Sequence, residues 1–293
     1  MTFIAEEKGY QILQCPECGF ITTDPIPSAE ELAAFYAEHF LSERKGGEDY
    51  WESTREPVFR QIETLIAAAG FDRHCRILDV GAAYGAFLKT LKDRGYTKLT
   101  GIDLSGPAVA HMRKKLQVEA IEGDLSRAAL PPDSFDAVTL IDTLEHLPDF
   151  NIVLREIGKI LRPGGIAIVR VPNMNFHLAK SKLFQHMRWP APYGLFTPPG
   201  HLNHFTPQGL ARALAGAGLS ANGSLNGIPD TSGGRGRIGL LAGWYRIAQT
   251  VHYLSNRLSC DCCARILICI SLQFSLPLGG FIQNGSGDPP WYS

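Results

Sequence analysis

An apolar run that stops at an acid and opens at once into glycines and alanines is where chemistry first becomes legible in this chain. Residues 77–88 read ILDVGAAYGAFL. Asp79 ends the run, and Gly81, Ala82, Ala83 and Gly85 form a turn with almost no side chains ahead of a helix. Free N–H groups at a helix start favour an anionic group such as a carboxylate or phosphate, and small residues let it approach the backbone. Further on, Asp103 closes a second apolar run, KLTGID, where a carboxylate can accept hydrogen bonds from ribose hydroxyls. The turn alone is a weak signal. GAAYGA also scores as a dinucleotide fingerprint with Ala83 in place of its middle glycine, and that ligand would use Asp103 too.

These residues need a scaffold, and the chain beyond residue 75 supplies one by alternating strand and helix. CRILDV reads as a buried strand and GAFLKTLKDRG as a helix closed by Gly95. KLTGID is the next strand, followed by SGPAVAHMRKKL, a helix with Ser105 as cap and Pro107 in its first turn. QVEAIEGD is a third strand and SFDAVTLID a fourth; DFNIVLREIGKILRPGG is an amphipathic helix stopped by Pro163 and the glycines, and IAIVRVP is a fifth strand. Repeated units of this length predict an α/β fold, a doubly wound, mostly parallel Rossmann-like sheet with helices on both faces. Ligands of such sheets bind at the carboxyl ends of the strands.

Ahead of that domain, SAEE makes Ser28 and Glu31 a capping box for a short helix through ELAAFYAEHF. SERKGGED reads as a linker, and PVFRQIETLIAAAG as a helix that starts at Pro57 and ends at Gly70. CPECGF places Cys15 and Cys18 in a thiolate knuckle, the shape of half a zinc ribbon. A structural zinc site closes with four ligands and no second CxxC lies nearby, so a plain turn is the alternative. CDCC at 260–263 completes a site only if the fold brings it there. The organisation expected is a knuckle and helix over residues 1–50, the ligand-binding α/β domain over 51–235, and a hydrophobic extension over 236–293.

Bulk properties narrow the classes. The 293 residues are 45% hydrophobic and 19% charged with net charge -1, so no basic field draws nucleic acid. Seven unevenly placed cysteines argue against a disulfide framework, and MTFIAEEKGY has no basic-then-apolar secretory pattern; a reducing cytoplasm is expected. ILICISLQFSLPLGGFI carries no charge, yet its serines, proline and glycine pair would break a membrane-spanning helix. It alternates like one face of a strand. Contact with a membrane surface stays open.

Later motifs separate the two nucleoside ligands. EGD after the third strand, DTLEHLPD after the fourth and LRPGG before the fifth, taken with DVGAAYG and GIDLS, resemble the class I S-adenosylmethionine-dependent methyltransferases. The N-terminal CPECGF and the later GHLNHFT resemble one branch of them. The resemblance covers roughly residues 10–230. It implies S-adenosyl-L-methionine as cofactor, with Gly81, Ala83 and Gly85 passing beneath its methionine part and Asp79 supporting that turn. It implies Asp103 on the ribose hydroxyls, Leu104 against the adenine, Asp124 on the adenine amino group with Leu125 as an apolar wall, and Asp142 near the methionine amino group. For Asp142 a helix cap is the other reading.

A sulfonium cofactor carries an activated methyl group, so transfer is a direct displacement that depends on positioning. A hydroxyl acceptor also needs a base, and His146 in EHLPD is the candidate. His201 and His204 in GHLNHFT are candidate substrate contacts; as metal ligands they lack an evident third partner. The aromatic-rich segment 175–205, with Phe176, Trp189, Tyr193 and Phe196, is too long for a plain connection and reads as a lid. The expected acceptor is a small molecule or biosynthetic intermediate, methylated at a hydroxyl: a sugar, a phenol or quinone precursor, or a lipid-linked compound. A nicotinamide-dependent oxidoreductase and a non-catalytic module built on the knuckle are the competing readings. Relatives end in a last antiparallel strand after a glycine-aspartate turn, whereas GSGD here is followed only by PPWYS, so that strand is expected to be missing. Its absence would expose a sheet edge.

Overall fold

A computed structural model describes residues 1–43, 48–186, 195–227 and 265–271. Its centre is a parallel sheet built from β4 (Arg76–Val80), β5 (Lys98–Asp103), β6 (Glu119–Glu122), β7 (Phe135–Ile141), β8 (Leu161–Pro172), β10 (Ser220–Gly227) and β11 (Arg265–Ser271), in the order β10-β11-β8-β7-β4-β5-β6. Every neighbouring pair runs parallel. Central strands are covered on both faces, which is why β4 and β7 are almost wholly buried and mostly apolar, with Asp79, Asp136 and Thr139 as their buried polar members.

Helices α2 (Glu48–Ala68), α3 (Ala86–Asp93) and α4 (Gly106–His111) cover one face, where Phe59, Ile62 and Ile66 meet Phe87, Leu88 and Leu91. Helices α5 (Phe150–Ile160) and α7 (Pro207–Gly216) cover the other with Leu154, Ile157, Leu210 and Leu214. The cap read at Ser105 is present, its Oγ accepting from the Ala108 amide at 3.3 Å, and Thr206 Oγ1 caps α7 by accepting from the Gly209 amide at 2.9 Å. Ser28 and Glu31 exchange both capping-box bonds ahead of α1 (Ala29–Glu43).

Boundaries moved for local reasons. Helix α2 begins at Glu48, ahead of Pro57, which lies inside it rather than at its start. The linker therefore shrinks, and its residues 44–47 fall outside the described ones. Helix α5 stops at Ile160 because Arg162 precedes a proline and is pushed out of the helical region. Strand β8 then takes in Pro163 and the glycines, between the Phe135–Leu161 and Ala137–Ile166 pairings, where the register breaks and no ladder N–H is needed.

Two larger differences concern the ends. Residues 1–50 hold strands as well as the knuckle and helix: β1 (Thr2–Glu7), β2 (Tyr10–Gln14) and β3 (Ile21–Asp24) form an antiparallel sheet whose fourth member is β9 (Asn203–His204). At the other end, GSGD and PPWYS, where a last antiparallel strand is expected to be missing, lie outside the described residues, while the alternating segment before them forms a strand. Strand β11 fills the place between β8 and β10, but runs parallel to both. A parallel neighbour needs a long crossover, and residues 228–264 separate β10 from β11. Among the described residues no helix is long and apolar enough to cross a membrane, and the first part of the uncharged C-terminal segment is this strand. The rest of that segment and the CDCC cluster at 260–263 lie outside the described residues, so the knuckle's second half goes without a structural account. The expected lid divides into α6 (Met174–His186), a stretch 187–194 outside the described residues that includes Trp189 and Tyr193, and the segment leading to β9.

Candidate functional site

The carboxyl ends of β4 and β5 bring the first cluster together. Asp103 Oδ2 accepts from the Ala83 amide at 2.7 Å and Oδ1 from the Ser105 amide at 2.8 Å. Each oxygen keeps lone-pair capacity for a further donor, as a pair of ribose hydroxyls would require. Burial raises this carboxyl above its ordinary range, against the pull of the Ser105 and Ala83 amides. Next to it Leu104 stands 69% exposed, an apolar surface largely open. Leu125 is 4% exposed and packs into the core, so Leu104 has far more area to give to an aromatic ring. Asp124 sits in a local turn, accepting from the Ser126 hydroxyl and lying 3.5 Å from Arg127 Nε.

The glycine turn differs from its sequence reading in one respect. The amides of Gly81 and Ala82 donate to the Ile102 carbonyl at 2.9 and 3.1 Å, and that of Gly85 to Ala82 at 2.8 Å. With Ala83 donating to Asp103, these four amides are occupied, and the turn offers a ligand room rather than donors. Ala83 holds φ +47°, a left-handed conformation that costs a non-glycine residue energy, and its bond to Asp103 offsets that cost. Gly81 has φ +72°, and a Cβ there would lie 2.5 Å from Thr143 Oγ1. Thr143 is itself held by its hydroxyl on the Val80 carbonyl at 3.1 Å. Gly81→Ala is therefore expected to destabilise by about 1–3 kcal/mol more than Gly218→Ala, a position with similar φ but open space. Denaturant midpoints of the two variants check this.

Asp79 is buried, and its Oδ1 accepts from Thr139 Oγ1 at 2.7 Å. The described bonds of the turn run to Ile102, so Asp79 acts on Thr139 and on the charge balance beside Asp103. Burial pushes its pKa up to about 7, with the Thr139 hydrogen bond opposing and the Asp103 charge adding. The folded state thus holds a proton that the unfolded chain releases near pH 4. The associated stability is complete below about pH 4 and is lost as pH rises through about 7. Ligand-free wild type is expected to lose up to about 4 kcal/mol relative to Asp79→Asn between pH 4 and pH 8. Parallel pH curves for the two proteins would contradict it.

At the end of β7 lies a second cluster. Asp142, at φ +51°, caps no helix; its Oδ2 pairs with Arg170, fully buried in β8, and with Arg55 of α2 at 3.2 Å. Its Oδ1 is buried without a hydrogen-bond partner among the described residues, an acceptor left for an ammonium group. Three residues on, Glu145 is 2% exposed and neither carboxylate oxygen has a partner among the described residues. Burial, with the Asp142 charge second, pushes its carboxyl well above the usual range, against the pull of Arg170 and Arg55.

His146 ends the short 3-10 turn Leu144–His146. Its Nδ1 lies 2.6 Å from the Gly200 carbonyl. A carbonyl only accepts, so Nδ1 carries the hydrogen and Nε2 is the basic nitrogen of the neutral ring. The His201 ring lies 4.8 Å from that of His146, and the Tyr36 ring of α1 6.3 Å away. Burial and the nearby Glu145 push the Tyr36 phenol up to about 12. The His204 ring lies 6.2 Å from that of His201 and 5.3 Å from that of Phe196, buried, and burial with His177 and His146 nearby pushes its pKa down to about 3. With His177, His201 and Asn203 it lines a cavity of about 20 Å³. A larger hollow of about 690 Å³ lies at the opposite, amino ends of the strands beside Arg76 and Lys98, away from these groups.

The N-terminal sheet explains how His201 reaches His146. The Thr23 amide donates to Leu202 O at 2.9 Å, the Leu202 amide to Glu145 O at 2.9 Å, and Asn203 Nδ2 to Leu147 O at 2.7 Å. The 200–203 segment is thereby clamped between β3 and the turn that bears His146. The knuckle serves the same end: Thr206 Oγ1 donates to Cys18 O at 2.7 Å, fixing the start of α7. The amides of Cys18 and Glu17 lower the Cys15 thiol, yet no third metal-ligating side chain groups with Cys15 and Cys18 among the described residues. Sequence reasoning missed Glu145, Tyr36, Thr143, Arg55 and Arg170. An arginine inside the apolar run IAIVRVP was the available signal for the last.

Residues 50–221, well over half the chain, match a family described as methyltransferase domain. A ubiquinone biosynthesis O-methyltransferase of Aeromonas salmonicida is 34% identical over 49% of this chain and 62% of its own. One from Neisseria meningitidis serogroup A is 31% identical over 54% of this chain and 66% of its own. A protein of Mycolicibacterium smegmatis named "Probable S-adenosylmethionine-dependent methyltransferase" is 31% identical over 50% of this chain and 54% of its own. The chain thus spans less than two thirds of the length of these relatives. Asp103 between two amides with exposed Leu104 beside it suits an adenosine, and Asp142 Oδ1 suits an amino group, so the residues present fit S-adenosylmethionine. With the ligand ambiguity of the glycine turn resolved in that direction, the chain belongs to the methyltransferase-domain family, whose cofactor is S-adenosylmethionine.

Proposed function

We propose that the protein transfers a methyl group from S-adenosylmethionine to a hydroxyl of a small molecule or biosynthetic intermediate, and that the acceptor loses its proton at the Glu145–His146–His201 cluster. The observation that carries this reading is the His146 Nδ1 contact with Gly200 O at 2.6 Å, which makes Nε2 the basic atom at the end of β7. The names of two relatives, both O-methyltransferases of ubiquinone biosynthesis, support oxygen as the acceptor atom. A phenol or quinone precursor, a sugar and a lipid-linked intermediate all meet the requirement, and a cytoplasmic setting suits them.

The cofactor supplies an electrophilic methyl group on sulfur. The chain supplies position and charge. Asp103 holds the ribose hydroxyls, Leu104 covers the adenine, and the side-chain-poor turn from Gly81 to Gly85 lets the methionine part pass. Asp142 Oδ1, oriented by Arg170 and Arg55 on its other oxygen, takes the amino group. Neutral His146, its ring fixed by Gly200, accepts the hydroxyl proton, and His201 with the segment behind it shapes the acceptor side. A transfer assay with methyl-labelled cofactor, pairing phenols and sugars with their amino counterparts, tests the acceptor atom. Label is expected in the hydroxyl compounds; label confined to the amines would overturn the reading.

A further inference from the structure

We propose that Glu145, His146 and His201 hold a divalent first-row transition-metal ion, of the zinc kind, on which the acceptor's hydroxyl oxygen binds. Each of the three offers a ligand atom, and these atoms lie within 4.8 Å of one another. Two imidazoles and one carboxylate make three protein ligands with a position left open, the donor set of catalytic zinc and its neighbours rather than of magnesium or calcium.

Three features point to an ion rather than to a chance grouping. The first is the buried Glu145 carboxylate, neither of whose oxygens has a hydrogen-bond partner among the described residues. A buried carboxylate without hydrogen-bond donors is costly, and the charges of Arg170 and Arg55, which both pair with Asp142, offset that cost only in part. A cation between Glu145 and the two rings compensates it directly. The second is the His146 Nδ1 bond to the Gly200 carbonyl. Metal-ligating histidines characteristically give their other N–H to a carbonyl or carboxylate, which fixes the ring and leaves the remaining nitrogen for the ion. The third is preorganisation: the Leu202 amide on Glu145 O and Asn203 Nδ2 on Leu147 O bind the two ligand-bearing segments to each other beside the site. The Tyr36 hydroxyl is buried without a hydrogen-bond partner among the described residues, and its ring lies 6.3 Å from that of His146.

Binding of the ion does not depend on what is methylated; its role rests on the proposed oxygen acceptor. On the ion the hydroxyl gives its proton to solvent, and the oxygen then forms a bond to the cofactor's methyl carbon while the carbon–sulfur bond breaks and its electron pair stays on sulfur. With the ion bound, His146 serves as a ligand in place of the proton acceptor it is without the ion, and the ion lowers the hydroxyl's pKa.

Full-length protein freed of metal by a chelator and desalted is titrated with Co²⁺ alone, followed by visible absorption and calorimetry, with S-adenosylhomocysteine affinity as the check on folding. One Co²⁺ per chain is expected, displaced by Zn²⁺, bound at least tenfold more weakly by isosteric Glu145→Gln and by His201→Ala, and unchanged in Cys15→Ser. Protein that binds S-adenosylhomocysteine but takes up no Co²⁺ overturns the site. So does equal Co²⁺ affinity in Glu145→Gln, or a loss confined to Cys15→Ser, which would move the ion to the knuckle. Stoichiometric binding that needs Glu145, together with methylation of amines alone, would keep the ion site and overturn the oxygen acceptor.

Discussion

Asp103→Ala is expected to weaken S-adenosylhomocysteine binding by about 1.5–3 kcal/mol, roughly 10- to 150-fold, because two ribose hydroxyls lose a charged acceptor. The carboxylate is placed by the protein before any ligand arrives, with one backbone amide on each oxygen. Removing it also frees the Ala83 amide, and Ala83 then keeps its left-handed φ without the bond that offsets the cost. Asp103→Asn retains one accepting oxygen and should fall between the two. Equilibrium dialysis at neutral pH measures all three, and equal affinity in the alanine variant would remove Asp103 from the ribose.

A second large effect is expected on turnover. His146→Ala should lower kcat by about 10²–10⁴-fold at unchanged S-adenosylhomocysteine affinity, whether the ring takes the proton itself or holds an ion that acidifies the hydroxyl. The split between turnover and affinity follows from the layout: Asp103 and Leu104 sit at the end of β5, while His146 follows β7 and is tied to the 200–203 segment. Full turnover in the variant would exclude His146 from proton removal. A fall in cofactor affinity of the same size would show that it orders the loop instead.

What could be read from the sequence follows from how local each signal is. Strands β4 and β7 announce themselves as mostly apolar, buried stretches because both faces are covered, and the caps at Ser28, Ser105 and Thr206 act within three residues of themselves. Asp103 was legible because it ends a strand at a fixed remove from the turn. The N-terminal strands were not: TFIAEE is largely exposed, without the alternation a half-buried strand would show, and β9 is two residues long. Glu145 and His201 are 56 positions apart and meet only because the N-terminal sheet clamps the later segment. The spacing of His201 and His204 shows their neighbourhood, which the fold keeps at 6.2 Å between rings, but it carries no sign of His146 and Glu145 beside His201. At the C-terminal end the alternation of apolar residues after Arg265 is the signal that matches strand β11.

The central claim is that the carboxyl edge of this sheet is a site for S-adenosylmethionine, and a calorimetric titration of the purified protein with S-adenosylhomocysteine, run beside NAD, tests it most directly. Saturable binding of one nucleoside thioether per chain, with no heat from NAD, is the predicted result. Binding of NAD in its place, or of neither ligand by folded protein, would contradict the account.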